Sequence, residues 1–135
     1  MLLMQQKHEN RNEYLRKQLN TQKNMSKQIK QSDVDLLVDI LEIKTEMGSE
    51  MVRAAMECLR LFDTKQLDYG SSNISSSGEL GIAVRLQDKV SRMRHILIKE
   101  IQDRQPINHE SLEDTYKDAA NYALIGLLLQ RKRWK

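Results

Sequence analysis

The sequence predicts an all-α fold, and three observations support this prediction. Pro and Gly are scarce, with one Pro and five Gly in 135 residues. Helix-forming residues such as Leu, Gln, Lys, Glu and Arg dominate, and 30% of the residues are charged. Apolar residues recur at spacings of three and four, which is the period of an amphipathic helix. A chain of this length fits one domain, which we expect to span residues 33–135.

The first helix is predicted over about residues 33–66. Ser32 and Asp33 offer an N-cap, and a long apolar seam with mostly alternating four- and three-residue spacing follows. Its members are Leu36, Ile40, Ile43, Met47, Met51, Ala54, Cys58 and Leu61. Gly48 interrupts the seam, so we expect a close helix crossing or a bend at that point. The Met residues are interpreted as core filling, and the single Cys excludes an internal disulfide.

The segment over residues 65–78 is interpreted as a linker or a lid. It holds five Ser, one Asn and two Gly, which supply hydroxyl and backbone donors but little apolar surface. Gly70 suits a turn that needs positive φ.

The second helix is predicted over about residues 79–104, and it carries two stripes. The buried stripe is predicted to consist of Ile82, Leu86, Val90, Met93, Leu97 and Ile101. A charged stripe lies beside it and contains Arg85, Asp88, Lys89 and Arg92. Taken alone, such a basic stripe is typical of a solvated face.

The third helix is predicted over about residues 109–133, after the break at Pro106. Its first half places four carboxylates on one face, those of Glu110, Glu113, Asp114 and Asp118. Two interpretations are open. In the first, the carboxylates in the first turn interact favourably with the N-terminal end of the helix dipole. In the second, the whole set faces cations in a pocket. Residues 123–129 are apolar all round, which predicts a helical bundle completed by oligomerisation.

The charge distribution is uneven along the chain. Seven Lys/Arg against two Glu give residues 1–32 a net charge of +5, and residues 131–135 carry +4. We interpret residues 1–32 as a basic, possibly helical extension outside the domain. Contact of the basic ends with nucleic acid is not favoured, because a nucleic-acid-binding domain gathers its cations on one folded face. No apolar run reaches the length of a membrane span, so we expect a cytoplasmic protein.

A series of polar residues resembles the phage nucleotide modification associated domain family, formerly a domain of unknown function. The likeness covers about residues 60–128 and includes Lys65, Asp68, Tyr69, Gly70, Asn73, Gly81, Arg85, Asp88, Lys89, Arg92, Glu110, Ser111, Glu113, Asp114, Thr115, Asp118, Asn121, Tyr122 and Ala123. This resemblance implies an all-α domain that acts around nucleotides in a phage or prophage, inside a bacterial host. It implies no defined reaction.

The first functional hypothesis is a nucleotide-binding protein. Four cations would bind phosphates, and these are Lys65, Arg85, Lys89 and Arg92. Four carboxylates would orient them, and these are Asp68, Asp88, Asp114 and Asp118. Asn121 or Tyr69 would contact the base or ribose. In a phage setting, such a protein would act in nucleotide modification or sequester a nucleotide signal of host immunity.

Two alternatives remain open. The layout is distantly similar to that of MazG-type NTP pyrophosphohydrolases, and this likeness implies a Mg²⁺ ion held by Glu110, Asp114 and Asp118. The sequence departs from that pattern in the first helix, where Glu46 and Glu50 are four residues apart. The other alternative is a structural or protein-binding oligomer, in which the basic and acidic stripes form an ion network and bind no nucleotide.

Overall fold

The computed structural model describes residues 28–104 and 109–135, with the side chains of the last helix described from residue 111 onwards. Four helices make up the regular structure of these ranges: α1 (Gln31–Ile40), α2 (Glu46–Tyr69), α3 (Ser72–Asp103) and α4 (His109–Gln130). The predicted all-α fold is therefore confirmed. None of the described helices has the length and apolarity needed to cross a membrane. The predicted N-terminal extension lies, as far as residue 27, outside the described residues.

The single first helix predicted over residues 33–66 is wrong, because the chain breaks between α1 and α2. Glu42 adopts a left-handed conformation with φ of 54°, and the Ile43 N–H turns back to the Val38 carbonyl at 3.0 Å. Thr45 then caps α2, its side chain accepting a hydrogen bond from the Gly48 N–H at 3.0 Å. A Cβ on Gly48 would lie 2.6 Å from Ile43 Cγ2. Gly48 therefore permits a close turn between two helices and does not bend a single one.

Because of this break, much of the predicted apolar seam is exposed instead of buried. Four of its members, Leu36, Ile40, Met47 and Met51, are more than 60% exposed. The core beneath α1 and α2 is instead a small cluster that includes only Ile43 of the seam: Ile29, Val34 and Val52 are buried, with Leu37, Val38, Ile43 and Met56 packed against them. The seam residues would lie on one face only if α1 and α2 formed a single continuous helix.

The predicted linker is also largely wrong, because residues 72–77 are helical. α2 ends at Gly70, whose φ is 65°, and α3 begins at Ser72. Gly78 then kinks α3 with φ of 58° and ψ of −153°. The kink places the Ser77 side chain against Gly81. A Cβ added at Gly81 would collide with that side chain. Beyond Gly78, the helix runs to Asp103, close to the predicted boundaries.

A second apolar cluster joins α2, α3 and α4. Its buried members are Ile74, Ile82 and Ile125, and the residues packed on them are Phe62, Leu86, Tyr122, Leu129 and Trp134. Val90 and Ile101 do not join it and are 48% and 77% exposed. After α4, the chain reverses at Lys132 with φ of 54°, and the Arg133 N–H bonds to the Leu128 carbonyl at 2.8 Å. This turn carries the last residues back onto the helices.

Candidate functional site

A cavity of about 340 Å³ lies where the end of α2, the start of α3 and the middle of α4 meet. Its walls mix aromatic, amide and charged side chains, which is the usual make-up of a small-molecule site. The lining residues are Phe62, Lys65, Gln66, Tyr69, Gly70, Asn73, Ile74, Asp118, Asn121, Tyr122, Ile125 and Trp134.

Two lysines from different helices converge on one carboxylate at this cavity. Lys65 of α2 lies 2.5 Å from Asp118 Oδ1, and Lys89 of α3 lies 2.9 Å from Asp118 Oδ2. The Lys89 and Asp118 side chains are only 21% and 18% exposed, whereas that of Lys65 is 47% exposed. Asp118 on α4 therefore binds one largely buried cation and one half-exposed cation.

The two ion pairs set the charge state of Asp118. Burial acts to raise the pKa of its carboxyl, but hydrogen bonds from Lys65 and Lys89, with the charges of both ammonium groups, outweigh that effect and lower the pKa below its ordinary value. Asp118 is therefore ionised at neutral pH, and the group of two lysines and one carboxylate has a net charge of +1.

Aromatic rings form another part of the cavity wall. Trp134 packs edge-on against Phe62, with ring centroids 6.1 Å apart, and its indole N–H donates to the Ser71 carbonyl at 3.2 Å. The Lys89 ammonium also lies 5.9 Å from the centroid of the Tyr122 ring, within cation–π range. These contacts fix three rings, those of Phe62, Tyr122 and Trp134, in the wall of the cavity.

Asn121 supplies the most buried polar group in the wall. The residue is 7% exposed, and its Nδ2 donates to the Cys58 carbonyl at 2.9 Å. Because that carbonyl can only accept, Oδ1 must be the other end of the amide, and among the described atoms it has no hydrogen-bond partner. A buried acceptor without a partner is costly, so this amide is a candidate recognition group.

The structure brings together some of the predicted ligand-binding residues and separates others. Lys65, Tyr69 and Asn121 line the cavity, and Lys89 reaches its edge through Asp118. Lys89 itself and four further predicted residues lie outside its lining. Arg85 donates to Ser77 Oγ at 2.9 Å and Arg92 to Ser111 Oγ at 2.7 Å, while Asp68 and Asp88 are exposed.

The predicted Mg²⁺ ligands do not gather in the part of the chain that the structure describes. Asp114 lines a different cavity of about 600 Å³, together with Arg53, Arg60 and Lys117. Asp118 is held by its two lysines, and the Glu110 side chain lies outside the described residues. No group of three His, Cys, Asp or Glu among the described side chains is placed to hold a metal ion. Of the predicted ligands whose side chains are described, Asp114 and Asp118 therefore line different cavities.

Sequence reasoning missed Phe62, Gln66 and Trp134 as site residues. Trp134 sits between cations in a segment that was interpreted only as a basic end, yet it is the one Trp of the chain. Its isolation among Arg and Lys was an available signal, because a large aromatic side chain is seldom placed in a tail that stays in water. Gln66 donates to Ser71 Oγ at 2.5 Å and fixes the turn beside the cavity.

Comparison of the chain with protein-family models, curated proteins and solved structures gives no match.

Proposed function

We propose that the cavity between α2, α3 and α4 binds a small phosphate-bearing nucleotide. The observation that carries this proposal is the convergence of Lys65 and Lys89 on Asp118 at a cavity with aromatic walls. A nucleotide combines an anionic phosphate with a flat aromatic base, and the cavity offers a complementary group for each.

The cationic group is suited to a phosphate. Each lysine ammonium has three N–H donors, and Asp118 uses one donor from each. The remaining donors of Lys65 are available at the exposed edge of the cavity. Asp118 orients the ammonium groups and leaves a net charge of +1, so an entering phosphate is attracted even though one carboxylate is near.

The aromatic walls are suited to a base. Tyr69 lines the cavity and is 73% exposed, so its ring is accessible for stacking. The unpartnered Oδ1 of Asn121 is an acceptor that an amino or imino group of a base can satisfy after a small movement of the wall. A volume of about 340 Å³ lies within the range of small-ligand sites, roughly 300–1,000 Å³.

Binding, rather than hydrolysis, is the function that these residues favour. Asp118 is ion-paired with two lysines, and the described side chains do not assemble a Mg²⁺ site. We further propose that the protein sequesters its nucleotide, in nucleotide modification or against a nucleotide signal of host immunity. This extension rests on the family resemblance.

Isothermal titration calorimetry of the full chain against a nucleotide panel tests the proposal. The panel contains nucleoside mono-, di- and triphosphates, cyclic mononucleotides and cyclic dinucleotides, each tried with and without Mg²⁺. The controls are nucleosides, which lack the phosphate, and inorganic pyrophosphate, which lacks the base. We expect micromolar or tighter binding of at least one nucleotide and weaker binding of both controls. No binding of any member by a protein that circular dichroism shows to be folded would contradict the proposal.

A further inference from the structure

Helix α4 has a second apolar face that no described part of the chain covers. Tyr116, Ala120, Ala123 and Leu127 lie within an arc of about 60° on this helix, and all four are exposed, Tyr116 by 53% and Leu127 by 43%. The arc lies opposite the buried side, which includes Ile125. We call these four residues the outer stripe of α4.

A groove runs beside the outer stripe. It has a volume of about 630 Å³ and lies between α2 and α4. Its lining residues are Ala54, Glu57, Cys58, Leu112, Glu113, Tyr116, Lys117 and Ala120. The small side chains of Ala120 and Ala123 in the middle of the stripe would allow another helix to approach closely, as happens where helices cross.

The charges of α4 identify the helix that fits there. Its beginning is acidic, with Glu113 and Asp114 exposed, and Lys117, which pairs with Glu113 at 2.6 Å and with Glu57 at 3.2 Å, is the one cation among residues 111–118. The turn after it is basic, with Arg131, Lys132 and Arg133 all exposed. A helix that is acidic at one end and basic at the other is complementary to an antiparallel copy of itself, and the two helix dipoles also oppose in that arrangement.

We propose that the outer stripe is the interface with a second copy of this chain, packed with its α4 antiparallel across a two-fold axis. In this register, Ala120 meets Ala123 of the second copy at the crossing, and Tyr116 meets Leu127. Glu113 faces Arg131 of the second copy at both ends. A two-fold axis satisfies both ends at once, because such an interface uses the same patch on each subunit.

The balance of buried and exposed residues supports an interface of this kind. Among the described residues, the buried hydrophobic set has seven members and the large hydrophobic residues that are exposed number sixteen. Tyr116, Leu124 and Leu127 belong to the exposed set and lie on one helix. Large exposed apolar patches mark interaction sites in soluble proteins.

Size-exclusion chromatography with multi-angle light scattering on the full chain tests the proposal. We expect a mass of twice 15.8 kDa. Ala120→Glu places a charge at the centre of the stripe and should shift the protein to the mass of one chain. Ala83→Glu is the matched control, because Ala83 is also an exposed helical alanine but lies on α3. Circular dichroism checks that both variants remain helical.

Reversal of the charges at the ends of α4 gives an independent test that leaves the apolar residues of the outer stripe unchanged. Arg131→Glu with Arg133→Glu makes both ends of α4 acidic, and Glu113→Lys with Asp114→Lys makes both ends basic. Each double variant alone should be largely monomeric, whereas an equimolar mixture of the two should recover the dimer mass. A monomeric wild-type chain, as expected if a different partner covers the stripe, would overturn the proposal. So would a dimer that survives Ala120→Glu, or a mixture that remains monomeric.

Discussion

Lys65 and Asp118 lie 53 positions apart in the sequence, and their side chains form an ion pair of 2.5 Å that joins α2 to α4. Lys89 of α3 binds the other oxygen of the same carboxylate. One carboxylate thus connects three helices at the edge of the cavity. Because both lysines are held at that edge, the group that stabilises this part of the fold is also the one that we propose for phosphate recognition.

Replacement of Lys65 should weaken nucleotide binding without unfolding the protein. The side chain is 47% exposed, so Lys65→Ala removes a phosphate donor and only part of a surface ion pair, which is worth about 1 kcal/mol or less. We expect the dissociation constant measured by calorimetry to rise about tenfold or more, which corresponds to about 1.4 kcal/mol. Lys99→Ala is the control, since Lys99 is exposed on α3 and does not line the cavity. Equal affinities of the two variants would argue against a role for Lys65.

Replacement of Asp118 should make stability less dependent on pH. Asp118→Asn leaves Lys65 and Lys89 without their carboxylate and should lower the free energy of unfolding at pH 7 by about 1–3 kcal/mol. The pKa of Asp118 is lowered in the folded protein, so its contribution is fully present above the unfolded pKa of about 3.9 and is lost as the pH falls through the lower, folded value.

Urea denaturation from pH 7 down to the lowest pH at which the fold persists measures this effect. The stability gap between wild type and Asp118→Asn should be constant above about pH 5 and should narrow below about pH 4. Asp88→Asn, an exposed change on α3, is the control and should show no comparable gap. A gap that widens in acid would mean that the sign of the Asp118 contribution is wrong.

Trp134 should stabilise the wall of the cavity through two separable contacts. Trp134→Ala removes both the Phe62 contact and the hydrogen bond to Ser71, and should cost about 2 kcal/mol because the ring is only partly buried. Trp134→Phe keeps an aromatic ring but no indole N–H, and should cost about 1 kcal/mol. Thermal unfolding followed by circular dichroism gives both values. A loss as large for Phe as for Ala would show that ring packing contributes little.

The kink of α3 should depend on a close approach that only glycine allows. Gly81→Ala drives a methyl group into the Ser77 side chain and should destabilise the protein by about 1–3 kcal/mol. Gly126→Ala is a control within α4, where the new Cβ would lie 3.4 Å from Ile82 Cγ2. The second change should be neutral or stabilise by up to about 1 kcal/mol, because Ala has the higher helix propensity. Similar denaturation midpoints for both variants would contradict the close packing of Ser77 against Gly81.

The helical period in the sequence was sufficient to predict the fold class, but not where the chain breaks. Ile43 continues the apolar spacing of α1 into α2, so the period runs through the break without interruption. The break depends on a left-handed Glu42, which no composition rule predicts, and on the Thr45 cap, which was a visible signal that the continuous seam obscured. The predicted helix start at residue 79 coincides with the end of the kink at Gly78, but the serine-rich composition of residues 72–77 gave no sign that they are also helical.

The site was predicted in part because its charged residues recur at helical spacing. That spacing indicated that Lys89 and Asp118 each lie on a charged face, and the structure joins the two at 2.9 Å. It could not show that Arg85 and Arg92 donate hydrogen bonds to Ser77 and Ser111, because those partners depend on the kink and on helix packing. For the same reason, helical spacing could not place Trp134 at the cavity, because this residue reaches it only through the turn at Lys132.

The fluorescence of Trp134 provides the most direct test of the central claim, that the cavity binds a phosphate-bearing nucleotide. Trp134 is the only Trp of the chain and lines the cavity, so its emission reports on occupancy without a label. Titration of wild type with the nucleotide panel should give a saturable change for at least one nucleotide, and Lys65→Ala should shift its midpoint to higher concentration. Emission that stays constant for every nucleotide up to millimolar concentration, in a folded protein, would contradict the claim.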